Sequence, residues 1–262
     1  MLIAIDFTSE FIFVRADAER SSRMDAIIFD KDGTLLDFSA FWVSVTRAAV
    51  KSLARRFGAE KYDEAALFQK LGVRNGDADP FGLLCCGTYA SISRAIAESL
   101  GVAEEVEEGS FLAASKAAFA ENASAGEIKP ACENLVPVLE RLCSSGKKLF
   151  MVTTDNAKIT AICLKKLGIE RFFTAVITDD GVHPPKPNPY YIEKIEREYG
   201  IPRSGMCMVG DTLTDMRFAK NGGIVFYGVT RDSRMREALS EYAAAVAEHV
   251  GVLFAEDVPN EV

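Results

Sequence analysis

The chain has 262 residues, 48% of them hydrophobic, and a formal net charge of -8 at pH 7. That length suits one large core domain carrying an insertion, or two domains. The acidic balance argues against sequence-independent nucleic-acid binding, which needs a basic surface, but leaves small phosphorylated ligands open because a site's local field outweighs the total. With only two histidines, a histidine-rich zinc site or a histidine-activated nucleophile is not expected. The six cysteines, Cys85, Cys86, Cys132, Cys143, Cys163 and Cys207, form no CxxC and read as buried free thiols of a reducing cytoplasm. No apolar run reaches the length of a membrane span.

In chain order, residues 1–23 stand apart. Their apolar stretches Leu2 to Ile5 and Phe11 to Val14 are interrupted by Asp6 and Glu10, unlike a signal peptide. They read as an extension dispensable for catalysis, although the alternation also suits a β-hairpin against a sheet edge. Ala26 to Phe29 predicts a strand, and residues 39–126 are helical in pattern, with Phe38, Phe41, Trp42 and Val45 on one face. That face is expected to be core rather than a substrate-stacking platform. After residue 128, helix and strand alternate. Helices are expected near 131–145, 157–167, 189–199 and 213–220, and strands near 148–153, 174–178, 206–209 and 224–227. This βαβα order implies an α/β fold, a doubly wound, Rossmann-like parallel sheet core.

Four polar clusters sit where apolar runs end: Asp30-Lys31-Asp32-Gly33-Thr34, Thr153-Thr154, Lys186-Pro187, and Gly210-Asp211 with Asp215. A parallel sheet presents its active site at such carboxyl ends. Asp30 and Asp32 are two apart, so their side chains share a face if the strand runs through them. Paired carboxylates call for a cation, and a hard divalent ion with oxygen ligands, inferred as Mg²⁺, is completed by Asp211 and Asp215. Lys186, in the stiff frame Pro184-Pro185-Lys186-Pro187, and the Thr153 hydroxyl supply the cation and donor that a bound phosphate needs. One carboxylate can then attack phosphorus to give an aspartyl-phosphate while the other acts as general acid and base.

The order and spacing of these motifs resemble the haloacid dehalogenase superfamily of phosphohydrolases from Met24 onward: DxDGT after a strand, Thr or Ser ending a second, Lys before Pro, and GDxxxD after a third. The resemblance implies Asp30 as nucleophile and Asp32 as acid/base. Dehalogenases do not keep an Asp at the second position, since a halide leaves unprotonated, so Asp32 points to a phosphate ester. Mg²⁺ is implied on the Asp30 carboxylate, the Asp32 backbone carbonyl and the Asp211 carboxylate, with Asp215 acting through water or behind the ligands. Thr153, Lys186 and the Thr154 amide are implied to bind the phosphoryl group. Either threonine could fill the motif; the fourteen-residue step from Thr153 to Leu167 fits the family spacing better.

The same resemblance divides the chain into a core of residues 24–38 and 127–262 and an inserted α-helical cap of the first cap class at 39–126. Arg74 and Arg94 are the cap cations considered for a substrate carboxylate or second phosphate. Asp179, Asp180 and His183 read as surface loop residues, and Cys85-Cys86-Gly87-Thr88 receives no role. The nearest overall likeness is to phosphoglycolate phosphatase-like hydrolases, so a small phosphorylated metabolite is the expected substrate. A phosphomutase of the β-phosphoglucomutase type uses the same motifs, and a non-catalytic phospho-ligand sensor is the reading from another class. Oligomeric state is not legible.

Overall fold

A computed structural model describes residues 24–255; the expectations for residues 1–23 lie outside the described residues. The elements run β1 (Ala26–Phe29), a π-helical turn (Ser39–Val43) continuing into α1 (Ser44–Arg56), α2 (Glu64–Lys70), β2 (Val73–Arg74), β3 (Asp77–Ala78), α3 (Leu83–Cys86), α4 (Tyr89–Leu100) and α5 (Glu108–Glu121). There follow α6 (Leu135–Ser144), β4 (Lys148–Val152), α7 (Ala157–Leu167), β5 (Phe173–Ile177), α8 (Tyr190–Tyr199), β6 (Met206–Gly210), α9 (Leu213–Gly222), β7 (Val225–Val229), α10 (Ser233–Ser240), β8 (Ala245–Ala247) and α11 (Val250–Leu253).

Six strands form one parallel sheet in the order β5-β4-β1-β6-β7-β8. Its central strands are nearly continuous apolar runs because both faces are covered. Along β1, Ile27 and Phe29 join the apolar cluster that includes Leu135, Val138 and Leu139 of α6, and Ala26 and Ile28 join the opposite one with Ile192, Ile195 and Phe218. The chain builds outward from β1 to β4 and β5, then returns to β6 and continues the other way. Strand order therefore reverses beside β1, and the crevice at its carboxyl end is where such a sheet binds ligands.

Residues 39–126 are largely helical, and their apolar cluster, including Phe41, Trp42, Val45, Leu53, Ile96, Phe111 and Phe119, runs on into Leu36, Ile159 and Cys163 of the sheet core. Helix α1 packs on α5, and α5 on α4. The short antiparallel hairpin β2–β3, turned through Asn75 at φ 53° and Gly76 at φ 91°, was not anticipated. Two-residue strands are too short to show an alternating pattern. The two passages between sheet and insertion lie side by side: the Asp37 amide donates to the Lys129 carbonyl at 3.0 Å, and the Ala131 amide to Leu35 at 2.9 Å. Strand β8 and helices α10 and α11 extend the alternation beyond the elements expected from sequence. Among the described residues no helix is long and apolar enough to cross a membrane.

Candidate active site

Strand β1 stops at Phe29, and the next residues fold into a tight loop in which the Leu35 and Leu36 amides both donate to the Lys31 carbonyl at 2.9 Å. The expectation of a shared strand face for Asp30 and Asp32 is therefore corrected: the loop sends the two carboxylates into different networks. Gly33 allows the turn, at φ +81°, and a Cβ there would run into Asp211 Oδ2. Any larger residue would push into the carboxylate.

The first network is buried at the carboxyl ends of β1 and β6. Lys186 Nζ donates to Asp30 Oδ1 and to Asp215 Oδ1, each at 2.6 Å. Asp215 is fixed further by the start of α9, where its Oδ2 accepts from the Thr212 amide at 3.1 Å and the Thr212 hydroxyl at 2.6 Å in a capping box. Asp211 Oδ1 accepts from the Thr34 hydroxyl at 2.8 Å. Asp30, Asp211 and Asp215 each offer an oxygen within 4.8 Å of the others.

One ammonium against three carboxylates leaves this cluster short of positive charge. Burial pushes the Asp30 carboxyl up to about 7; Lys186 pulls it down, while Asp215 and Asp32 add to the rise. Burial, with Asp30 and Asp215 beside it, also holds Asp211 well above the usual carboxylate range. Burial alone would lower Lys186, but Asp215 and Asp30 outweigh it and keep the ammonium charged. Asp30 Oδ2 and Asp211 Oδ2 accept no hydrogen bond among the described residues, whereas both Asp215 oxygens are taken. The oxygen donor set of Asp30, Asp211 and Asp215 suits a hard divalent cation.

Asp32 lies outside this cluster. Its Oδ1 accepts from Lys31 Nζ at 2.9 Å and from Trp42 Nε1 at 2.9 Å. Trp42 is thus both packed in the helical layer and a donor to a motif residue, a role that its apolar helical spacing conceals. Lys31 also donates to Asp155 Oδ2 at 2.9 Å. Of the paired threonines, Thr153 is buried and its hydroxyl accepts from the Asp155 amide at 3.2 Å; Thr154 is exposed.

The other sequence candidates fall apart from these networks. Arg94 is exposed on α4, with Nη2 2.5 Å and Nε 3.0 Å from Glu108 Oε1, so its guanidinium is already engaged. Arg74 is exposed on the β2–β3 hairpin. Asp180 accepts from the amides of Val182 and His183 and from His183 Nδ1, which hold its carboxyl below the usual range; neither it nor Asp179 bonds to Lys186. Buried thiols are found at Cys132, Cys163 and Cys207, but Cys86 is exposed and Cys85 and Cys143 are half-buried. Helix α3 sets Cys86 Sγ 2.9 Å from the Pro80 carbonyl. Tyr89 packs edge-on to Phe119 with centroids 5.9 Å apart, and burial, then Asp155 and Asp32, push its hydroxyl up. Tyr89 borders the site without belonging to any motif.

The chain matches the family model for haloacid dehalogenase-like hydrolase over residues 24–223. A phosphoglycolate phosphatase of Vibrio parahaemolyticus is 27% identical over 216 residues, 82% of this chain and 87% of the relative. One from Vibrio cholerae is 30% identical over 206 residues, covering 78% and 83%. Among solved structures, a family IA, variant 3 haloacid dehalogenase hydrolase from Entamoeba histolytica superposes with a TM-score of 0.65 at 18% identity, covering 89% of this chain and 97% of that one. Sheet order, crevice and family match agree: the chain belongs to the haloacid dehalogenase-like hydrolases, as an enzyme of their phosphatase type.

Proposed function

We propose that the protein hydrolyses phosphate monoesters of small metabolites through an aspartyl-phosphate on Asp30. The observation that carries this reading is the triad of Lys186, Asp30 and Asp215 at the end of the central strand, with the Asp32 carboxylate held apart from it. Asp30 keeps one oxygen free beside an ammonium that would bind the transferring phosphoryl group. Thr153 and the amide of Thr154, at the end of β4, would supply further donors. Asp30, the Asp32 carbonyl and Asp211 would hold Mg²⁺, with Asp215 behind them; when bound, the ion neutralises charge on the phosphoryl oxygens.

In the first step an Asp30 oxygen bonds to phosphorus while the ester P–O bond breaks, and Asp32 protonates the departing alkoxide. In the second, water adds to phosphorus and gives its proton to Asp32, releasing phosphate and restoring the Asp30 carboxylate. A halide needs no such proton, so a retained Asp32 favours an ester substrate. The helical layer, which Tyr89 brings to the border of the site, would exclude bulk water and contact the alcohol portion. The curated relatives named above support a phosphoglycolate-like metabolite.

The test is phosphate release by the purified protein with Mg²⁺ across phosphoglycolate, sugar phosphates, nucleoside monophosphates and pyridoxal phosphate, with Asp30→Asn as control. Release from one group that the variant abolishes is expected. Release equal in both proteins would refute the assignment of Asp30, and transfer without release, dependent on a bisphosphate, would move the protein to the mutases.

A further inference from the structure

Lys31, the residue between the two motif aspartates, is fully buried. A buried ammonium is costly unless it is paired and hydrogen-bonded, and an apolar residue would fill the same volume without that cost. Here it stands 2.9 Å from Asp32 Oδ1 and 2.9 Å from Asp155 Oδ2. The rings of Phe41 and Trp42 lie over it, with centroids 5.5 Å and 5.7 Å from Nζ. Asp155 is anchored in turn, its Oδ1 accepting from the Asn156 amide at 2.8 Å and its own amide donating to the Thr153 hydroxyl at 3.2 Å.

The disposition of donors around Asp32 is one-sided. Lys31 Nζ and Trp42 Nε1 both reach Oδ1, one from the core and one from the helical layer. Among the described residues no donor reaches Oδ2. Two donors on one oxygen fix the rotation of the carboxylate and leave the other oxygen for chemistry.

We propose that Lys31 and Trp42 are positioning residues that pin Oδ1 of Asp32 and reserve Oδ2 as the oxygen that carries the proton. This rests on the phosphatase reading above. During formation of the aspartyl-phosphate, the Oδ2 proton passes to the alcohol oxygen as that oxygen takes the electron pair of the breaking P–O bond. During hydrolysis, Oδ2 takes a proton from the attacking water as the bond from phosphorus to Asp30 breaks and its electron pair returns to the carboxylate. Neither Lys31 nor Trp42 touches the reacting atoms; their effect is on where the proton sits.

The experiment compares an alkyl phosphate, whose alkoxide must be protonated to leave, with p-nitrophenyl phosphate, whose leaving group departs unaided. Trp42→Phe keeps an aromatic ring against Phe41 and Phe119 while removing the N–H together with part of the indole. It is expected to lower kcat for the alkyl phosphate about tenfold, with KM and the p-nitrophenyl phosphate kcat within about twofold. Lys31→Met is expected to act in the same direction more strongly. Asp155→Asn, which removes one of the two carboxylates that hold Lys31 in place, is expected to act in the same direction more weakly and covers the case in which Lys31→Met does not fold. Equal losses on both substrates, or none on either, would overturn the proposal.

A second readout needs no turnover. Trp42 is the chain's one tryptophan, so the indole gives a single ¹H–¹⁵N resonance. It is expected downfield and protected from exchange, and to move upfield in Asp32→Ala; an unmoved resonance would overturn the contact. If the wild type releases phosphate from neither substrate, the phosphatase reading fails and the proton-transfer role with it, while the resonance still shows whether Asp32 is held.

Discussion

Two buried lysines lie beside this site, each between two aspartates, and the charge around them differs. Lys186 bridges Asp30 and Asp215 at 2.6 Å each, in a cluster that also holds Asp211 and has more negative charge than one ammonium offsets. Lys31 bridges Asp32 and Asp155 at 2.9 Å each and shares Asp32 with an indole N–H. The first arrangement is incomplete without a further cation, which is what a site for phosphate and metal requires. The second is closer to neutral and already hydrogen-bonded, which is what holding one carboxylate still requires. On the proposals above, identical residue types separate into binding and positioning by the charge left over.

That contrast can be broken by experiment. Asp30→Asn should abolish turnover, by about 10⁴-fold or more, with the fold retained in circular dichroism, since the nucleophile has no substitute. Lys186→Met should remove phosphate binding and also destabilise the fold by roughly 3–5 kcal/mol in chemical denaturation, because it strands buried carboxylates. An unchanged denaturation midpoint would show that the cluster is not short of positive charge.

A third prediction concerns metal and pH together. With Asp30 pushed up to about 7, the metal-free folded protein keeps a proton that the unfolded chain gives up near pH 4. Its stability contribution therefore falls as pH rises through that window and is lowest above pH 7. Mg²⁺ competes with the same proton, so its apparent affinity should be about tenfold weaker at pH 6 than at pH 8, and its thermal stabilisation larger at pH 8. Isothermal titration at the two pH values checks this; equal affinities would remove Asp30 from the ligands. Gly33→Ala, at a positive φ and against Asp211, should weaken Mg²⁺ binding measurably in the same titration. Smallest of all, Arg94→Ala should leave KM unchanged for any substrate, because its guanidinium is engaged by Glu108 at the surface. A raised KM would place Arg94 at the substrate after all.

Much of the fold was legible because the core strands are short apolar runs between helices of marked periodicity. Helix 157–167 was anticipated to the residue: Asn156 caps its start and Gly168, at φ 69°, ends it. The hairpin at Val73–Ala78 and the final strand Ala245–Ala247 were not, since two or three residues carry no period. Asp30, Thr153 and Asp211 stood out because each follows an apolar run, Lys186 because prolines flank it, and Asp215 because of its spacing from Asp211. Trp42 looked like core, and Lys31 like a spacer, because a sequence shows the spacing of residues but not the direction of a side chain.

What the sequence by itself determined is therefore the parallel α/β core, the helical insertion and the polar residues at its strand ends, for these follow from local apolar period and from turn chemistry. Only the tertiary structure decided which carboxylate meets which lysine. The loop after Phe29 parts Asp30 from Asp32, and strand order brings Lys186 to one while folding over of the helical layer brings Trp42 to the other. Lys186 and Asp30 are 156 residues apart in the chain and Lys31 and Asp155 are 124 apart. Hydrogen bonds and charge act over a few ångströms in space, and no local pattern encodes which distant groups will come within that reach.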